Sequence, residues 1–276
     1  MECKLDHITV HYEMIGEGRP MVVIHGWGLD HRYMASNMEP LFAHHPGWRR
    51  IYLDLPGMGQ TAAPDWLSTQ DQMLDILQAF IEKVIPDQRF AVAGASYGGY
   101  LARGLIFRKA EQIDGLLLNA PTVRPSDDRR SLPEKITLVA DQSIFADVDP
   151  DIATSFQGFA VVHTKKYLDD TLISLFPAVE IADHEFLERL ALQPTFSFDV
   201  DRLPAPFTRP TLILTGRQDS MCGYVEAWDI LENFPRATFV VLDRAGHGLA
   251  FEQETLFRAL AGEWLDRVEE VIASQV

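Results

Sequence analysis

Short apolar runs alternate with amphipathic stretches over the first 120 residues. Residues 2–14 alternate polar and apolar side chains and predict a hairpin of two short strands ending at Gly16-Glu17-Gly18. Residues 21–24 form a compact run with β-branched members, the mark of a strand covered on both faces. Residues 50–53 predict the next strand, closed by Asp54-Leu55-Pro56-Gly57. Over 71–85, Met73, Leu74, Ile76, Leu77, Phe80, Ile81 and Val84 recur at helical spacing. Ser68 and Thr69 offer N-caps to that helix, with Asp71 and Gln72 three residues on, and Pro86 stops it. A strand at 90–93, a helix at 97–107 and a strand at 113–118 follow.

From about 121 to 205 the alternation stops. This stretch holds weakly amphipathic pieces broken by eight prolines, from Pro121 to Pro206, and lacks clear buried strands. The alternation resumes with a strand at 211–214, a helix near 224–232, a strand at 238–242 and a helix over 252–268. Strand-helix alternation implies an α/β fold: a mostly parallel twisted sheet of about eight strands with helices on both faces. The expected organisation is one core from 1–120 and 206–276, interrupted by a mostly helical insertion at 121–205.

Composition narrows the classes of partner. The chain has 276 residues, 47% hydrophobic and 23% charged, enough for a large core and unlike a disordered segment. Its net charge of −16 repels phosphate backbones and offers nothing to anionic membranes, so neither nucleic acid nor membrane is expected as a partner. Charges occupy the N-terminus where a signal peptide needs an apolar core, and no run approaches the ~20 apolar residues of a membrane span. Two cysteines, Cys3 and Cys222, fit reduced thiols better than a disulfide framework. These features point to a cytoplasmic protein acting on a small molecule.

The chemistry starts at Gly94-Ala95-Ser96-Tyr97-Gly98, a G-x-S-x-G pattern. Such a pattern arises by chance in roughly one chain in ten of this length, so its setting decides. An apolar strand precedes it and a helix follows, which puts Ser96 on a tight strand-to-helix turn. Backbone segments crowd there, and side chains at 94 and 98 would collide. A serine hydroxyl needs a base to take its proton. His247, in Ala245-Gly246-His247-Gly248, follows the last strand, at the same edge of a parallel sheet as Ser96. His25 also follows a strand, but its glycines suit it to shaping a loop against the substrate. None of the nine histidines shows metal-ligand spacing, so no metal is expected. Asp219, after the strand at 211–214, is the candidate to orient His247 and balance its charge. Asp243 is the rival by proximity in sequence; Asp54 and Asp114 read as structural ion-pair partners. An oxyanion requires fixed N–H donors, expected from the backbone of Tyr97 and of Trp27 in His25-Gly26-Trp27-Gly28.

Five motifs in this order, His25-Gly26-Trp27-Gly28, Asp54-Leu55-Pro56-Gly57-Met58-Gly59, the turn at 94–98, Gly216-Arg217-Gln218-Asp219 and Gly246-His247, resemble the α/β-hydrolase superfamily over nearly the whole chain outside the insertion. Gly57-Met58-Gly59 lacks the third glycine and the helix of a dinucleotide loop. The resemblance implies a hydrolase with no cofactor, and an insertion acting as a cap over the site. It further implies a carboxylesterase-like reaction through an acyl-enzyme, with activity rising through about pH 6–7 as His247 loses its proton. Phe145, Phe156, Phe159, Tyr167, Leu172 and Phe176 are the expected acyl-pocket residues, with His25, or else the cap's own core.

Ser96 departs from the aspartate of haloalkane dehalogenases and epoxide hydrolases. His25-Gly26-Trp27-Gly28-Leu29 looks like small carboxylesterases, including the pimeloyl-carrier methyl esterases, whose acidic carrier would favour a basic cap. Here 121–205 holds eight Lys/Arg and fifteen Asp/Glu. The alternatives are a C–C bond hydrolase, from whose Pro-Gly stretch Gly28-Leu29-Asp30 departs, and a prolyl-iminopeptidase-like enzyme using Glu180, Asp183, Glu185 and Glu188. Beyond enzymes stands a non-catalytic ligand receptor on the same fold.

Overall fold

In a computed structural model, described for residues 1–125 and 130–274, a hairpin of β1 (Glu2–Lys4) and β2 (Thr9–Ile15) leads into β3 (Arg19–Ile24), α1 (His31–Met38) and β4 (Trp48–Leu53). Next come α2 (Gln70–Val84), β5 (Phe90–Ala95), α3 (Tyr97–Lys109) and β6 (Ile113–Asn119). The insertion contains β7 (Val139–Ala140), α4 (Pro150–Phe159), β8 (Val162–His163), α5 (Lys165–Ser174), α6 (Phe176–Ile181) and α7 (His184–Ala191). The chain closes with β9 (Thr211–Gly216), α8 (Tyr224–Asp229), β10 (Ala237–Leu242), α9 (Leu249–Glu252) and α10 (Glu254–Ala273).

Among the described residues, eight strands form one sheet in the order β1-β2-β4-β3-β5-β6-β9-β10. β2 runs antiparallel to β1 and β4, and the remaining pairs are parallel. The expected eight-stranded, two-faced α/β architecture is the observed one. Its alternation is visible strand by strand. Val22, Ile24, Phe90, Val92, Leu116, Leu118 and Ile213 face a core shared with α2, α3 and α8. Met21, Val23, Ala91, Ala93, Leu117, Leu212 and Leu214 face the opposite core with α1 and α10. A strand covered on both sides has no polar face, which is why β5, residues 115–118 of β6 and residues 212–214 of β9 read as apolar runs.

Local signals fix the helix starts. Thr69 caps α2 and Gln72 returns the bond, closing a capping box. α1 was not expected. Its buried residues Tyr33, Met34, Asn37 and Met38 include a polar one, and only eight residues carry the pattern; the Asp30 side chain starts it by accepting from Arg32 N–H. The insertion, expected to be mostly helical, also holds the parallel pair β7–β8. It has a small core of its own, built on Ile144, Phe156, Ala160, Tyr167 and Leu168. Its last helix, α7, sends Phe186, Leu187 and Leu190 into the main core.

The turn after β4 meets that helix. Gly57 has φ +76°, and a side chain there would run into the Phe186 ring. Gly57→Ala is therefore expected to cost roughly 2–4 kcal/mol, from the left-handed backbone and the clash combined. Denaturant unfolding measures this; an unchanged midpoint would mean that Phe186 yields freely.

Candidate active site

Five loops gather at the carboxyl edge of the parallel strands. Ser96 directly follows β5 and adopts φ 51°, ψ −116°, a positive-φ conformation on the tight turn expected at this position. A side chain at Gly94 would strike the Gly98 carbonyl, and one at Gly98 the Ile24 carbonyl, as the sequence predicts. Ser96 N–H donates to the Asn119 carbonyl at 3.0 Å. Its own carbonyl accepts from Gly99, Tyr100 and Thr122 N–H at 2.9, 3.2 and 3.0 Å. Its hydroxyl rests 3.4 Å from Thr122 Oγ1, which lies 3.4 Å from Cys222 Sγ.

His247 follows β10, and its Nδ1 donates to Asp219 Oδ2 at 2.9 Å. Asp219 is fully buried, and its other oxygen accepts from Met221 and Cys222 N–H at 2.8 and 2.9 Å. Two backbone donors and an imidazole satisfy a carboxylate that would otherwise be costly to bury. Burial works against a charged His247, but Asp219 and Cys222 outweigh it and hold the imidazole well above its usual 6.5. Ser96 and His247 line one cavity of about 310 Å³, together with Trp27, Tyr33, Phe159 and Tyr167. Among the described residues no acceptor meets the backbone N–H of Trp27 or of Tyr97. The Tyr97 N–H stands at the start of α3, where the helix dipole favours negative charge.

The family follows from comparison with known proteins. The model of the alpha/beta hydrolase family matches residues 21–260. The chain belongs to the alpha/beta hydrolase family. It is 26% identical to a pimeloyl-acyl-carrier-protein methyl ester esterase of Legionella pneumophila strain Paris, covering 94% of this chain and all of that one. It is 24% identical to a 2-hydroxy-6-oxo-6-(2'-aminophenyl)hexa-2,4-dienoic acid hydrolase of Metapseudomonas resinovorans, over 94% of this chain and 88% of that one. A crystal structure of an alpha/beta superfamily hydrolase from Oenococcus oeni PSU-1 superposes with a TM-score of 0.88 at 28% identity, covering 98% and 99% of the two chains.

Within this hydrolase fold the other sequence candidates fall elsewhere. His25 is fully buried and does not line the cavity. Its Nδ1 donates to the Gly26 carbonyl at 2.8 Å and its Nε2 accepts from Leu55 N–H at 3.0 Å, so it braces the Trp27 loop against the turn after β4. Of the six insertion residues expected at the pocket, Phe159 and Tyr167 line it. Phe145, Phe156, Leu172 and Phe176 instead pack the insertion's own core and do not line the cavity. Asp243 is exposed, and Asp114 pairs with Arg89 at 2.6 Å. Asp183 caps α7, while Glu180, Glu185 and Glu188 are exposed; none of the four lines the cavity.

Among the described residues, His11, His31 and Asp54 have ligating atoms within 4.8 Å of one another. Both Asp54 oxygens are saturated there, by His11 Nδ1 and Gln60 N–H on one and by His31 Nδ1 and N–H on the other. Burial pushes the Asp54 carboxyl up, but these donors and the neighbouring histidines hold it well below the usual carboxylate range. The cluster works as a brace and does not line the Ser96 cavity.

Sequence reasoning missed Glu252. Its nearly buried carboxylate accepts from Val161 and Val162 N–H at 2.6 and 3.3 Å and from Gly246 N–H at 2.5 Å. It bolts the insertion to the residue before His247, a contact between segments 90 residues apart that no local pattern announces. Glu252→Ala strands three donors and is expected to cost about 3 kcal/mol or more, with a fall in kcat as the His247 loop loosens. Glu252→Gln keeps one acceptor and should lie between. Thermal unfolding alongside turnover of any accepted substrate measures both; wild-type values for Glu252→Ala would dismiss the bolt.

Proposed function

We propose that the protein hydrolyses esters of small or medium acyl groups through an acyl-enzyme on Ser96. The observation that carries this is the shared cavity: a hydroxyl on a strained turn and an Asp219-paired imidazole open onto the same space. His247 takes the Ser96 proton as the hydroxyl leaves its long contact with Thr122 and attacks the carbonyl. The oxyanion forms against the free N–H groups of Trp27 and Tyr97. The imidazolium, steadied by Asp219, then protonates the leaving alcohol, and water reverses the sequence to release the acid. The insertion serves as the cap that excludes water, since Phe159 and Tyr167 form part of the cavity wall.

The esterase relatives and the Ser-His-Asp constellation support ester cleavage above the alternatives. The carrier-protein substrate in the relatives' name is not carried over. An insertion with eight basic and fifteen acidic residues repels an acidic partner. No described helix is long and apolar enough to cross a membrane.

A fluorophosphonate should form one adduct, on Ser96, and none in Ser96→Ala; the absence of an adduct on the wild-type chain would favour a ligand receptor. Ser96→Ala or His247→Ala is expected to lower kcat by roughly 10⁴–10⁶, and Asp219→Asn by about 10⁴, in p-nitrophenyl ester assays. A variant that keeps full turnover removes its residue from the mechanism.

The pH profile has a fixed sign. His247 must be neutral to accept a proton, and its raised pKa keeps the protonated, inactive form to higher pH. kcat/KM should therefore rise with pH along a limb centred above 6.5, higher than an unperturbed histidine implies. A limb centred below that value would show that Asp219 does not hold the charge.

A further inference from the structure

Two cavities meet at Ser96. The first, of about 310 Å³, is walled by Tyr33, Phe159, Tyr167 and Leu175 and contains the edge of His247. The second, of about 240 Å³, is walled by Gln70, Tyr97, Thr122, Arg130 and Cys222. Trp27, Ser96 and Met221 border both, and His247 borders only the first.

This asymmetry assigns the two halves of an ester, given the acyl-enzyme reading. The leaving oxygen takes its proton from His247, so the alcohol occupies the cavity that contains the imidazole. The carbonyl oxygen faces the Trp27 and Tyr97 N–H groups. The rest of the acyl group then continues away from His247, into the second cavity.

The second cavity holds a donor without a partner. Gln70, the first residue of α2, is 1% exposed. Its Oε1 accepts from the Tyr97 hydroxyl at 2.5 Å, which turns Nε2 toward the cavity. Among the described residues nothing accepts from that nitrogen. The nitrogen is not one of the sealed, unpaired polar atoms, so it stays open to the cavity, where a bound acceptor takes the place of water. Arg130 adds little net charge to the wall: its Nε lies 3.4 Å from the buried Glu226 carboxylate, and its guanidinium donates to the Met221 carbonyl. The chain's charge of −16 further disfavours an anionic acyl group.

We infer that the substrate is an ester whose acyl half carries an uncharged hydrogen-bond acceptor, held by Gln70 Nε2, and whose alcohol half is aromatic or similarly bulky and apolar, held by Tyr33, Phe159 and Tyr167. The acceptor class is a ketone, amide or hydroxyl along a short acyl chain, since the cavity is at the small end of ligand sites. Gln70 is then a specificity residue that touches substrate away from the reacting atoms.

The test compares kcat/KM for benzyl 4-oxopentanoate, benzyl pentanoate, monobenzyl succinate and methyl 4-oxopentanoate. Benzyl and methyl alcohols leave with similar ease, so the comparison reads the pocket rather than intrinsic reactivity. The benzyl oxo-ester is expected to exceed each of the others by about tenfold. Gln70→Met should bring the oxo-ester to pentanoate ratio near one; the ratio is internal to each variant, so partial misfolding cancels. Equal rates for the oxo-ester and the pentanoate, a preference for the succinate or the methyl ester, or an unchanged ratio in Gln70→Met would each overturn the inference. Turnover of none of the four would overturn the esterase reading on which it rests.

Discussion

The backbone at Ser96 is the constraint around which the molecule is arranged. A residue with a side chain at φ 51° carries roughly 1–3 kcal/mol of strain, and it persists only where its surroundings over-determine it. Here four backbone hydrogen bonds tie Ser96 to the residue ending β6, to the first turn of α3 and to Thr122. The glycines at 94 and 98 let α3 start in contact with the end of β3. One turn therefore sets the hydroxyl, the Tyr97 N–H and the approach of the Trp27 loop. Relaxing it would misplace all three and open the core beneath.

Buried carboxylates hold the remaining pieces to that turn. Asp219 joins the loop after β9 to the loop after β10, and Glu252 joins the loop after β10 to β8 of the insertion. Each accepts backbone N–H groups that have no strand partner, so each ion is solvated by the protein in place of water. Burial raises the Glu252 carboxyl despite three donors, with Asp219 adding to the rise, and Asp219 pairs with the His247 imidazole. One carboxylate fastens the loop and the other pairs with the imidazole on it.

The sequence made the core and the candidate triad legible because both depend on short-range pattern. Strands covered on both faces read as apolar runs, and the glycines of the elbow mark where backbones touch. α1 escaped because its buried face includes Asn37 and its length is two turns. The cavity wall escaped for a different reason. Phe156 and Phe159 lie three residues apart on α4, yet Phe156 is sealed in the insertion's core while Phe159 reaches the cavity. The contacts around that helix, the β7–β8 pair and the Glu252 bolt, are long-range, and no local pattern announces them. His25 likewise keeps its place beside the site but spends both ring nitrogens on backbone groups.

Relatives of similar identity carry names for different substrates, a carrier-bound methyl ester and a dienoic acid, so ancestry limits the chemistry more tightly than the substrate. The division of the cavities gives a physical reason. The unpaired Gln70 donor stands on α2, a core helix whose first turn is locked by the Thr69–Gln72 capping box and whose body packs on the sheet. Phe159, Tyr167 and Leu175 come from the insertion, which meets the core through α5 against α1 and α9, through α7 and through Glu252. Changes confined to the insertion can therefore reshape the alcohol side while the Gln70 donor and the hydroxyl, imidazole and N–H groups stay where the sheet puts them. Under the proposed reading, Phe159, Tyr167 and Leu175 tune the alcohol side from the insertion, and Gln70 tunes the acyl side from the core.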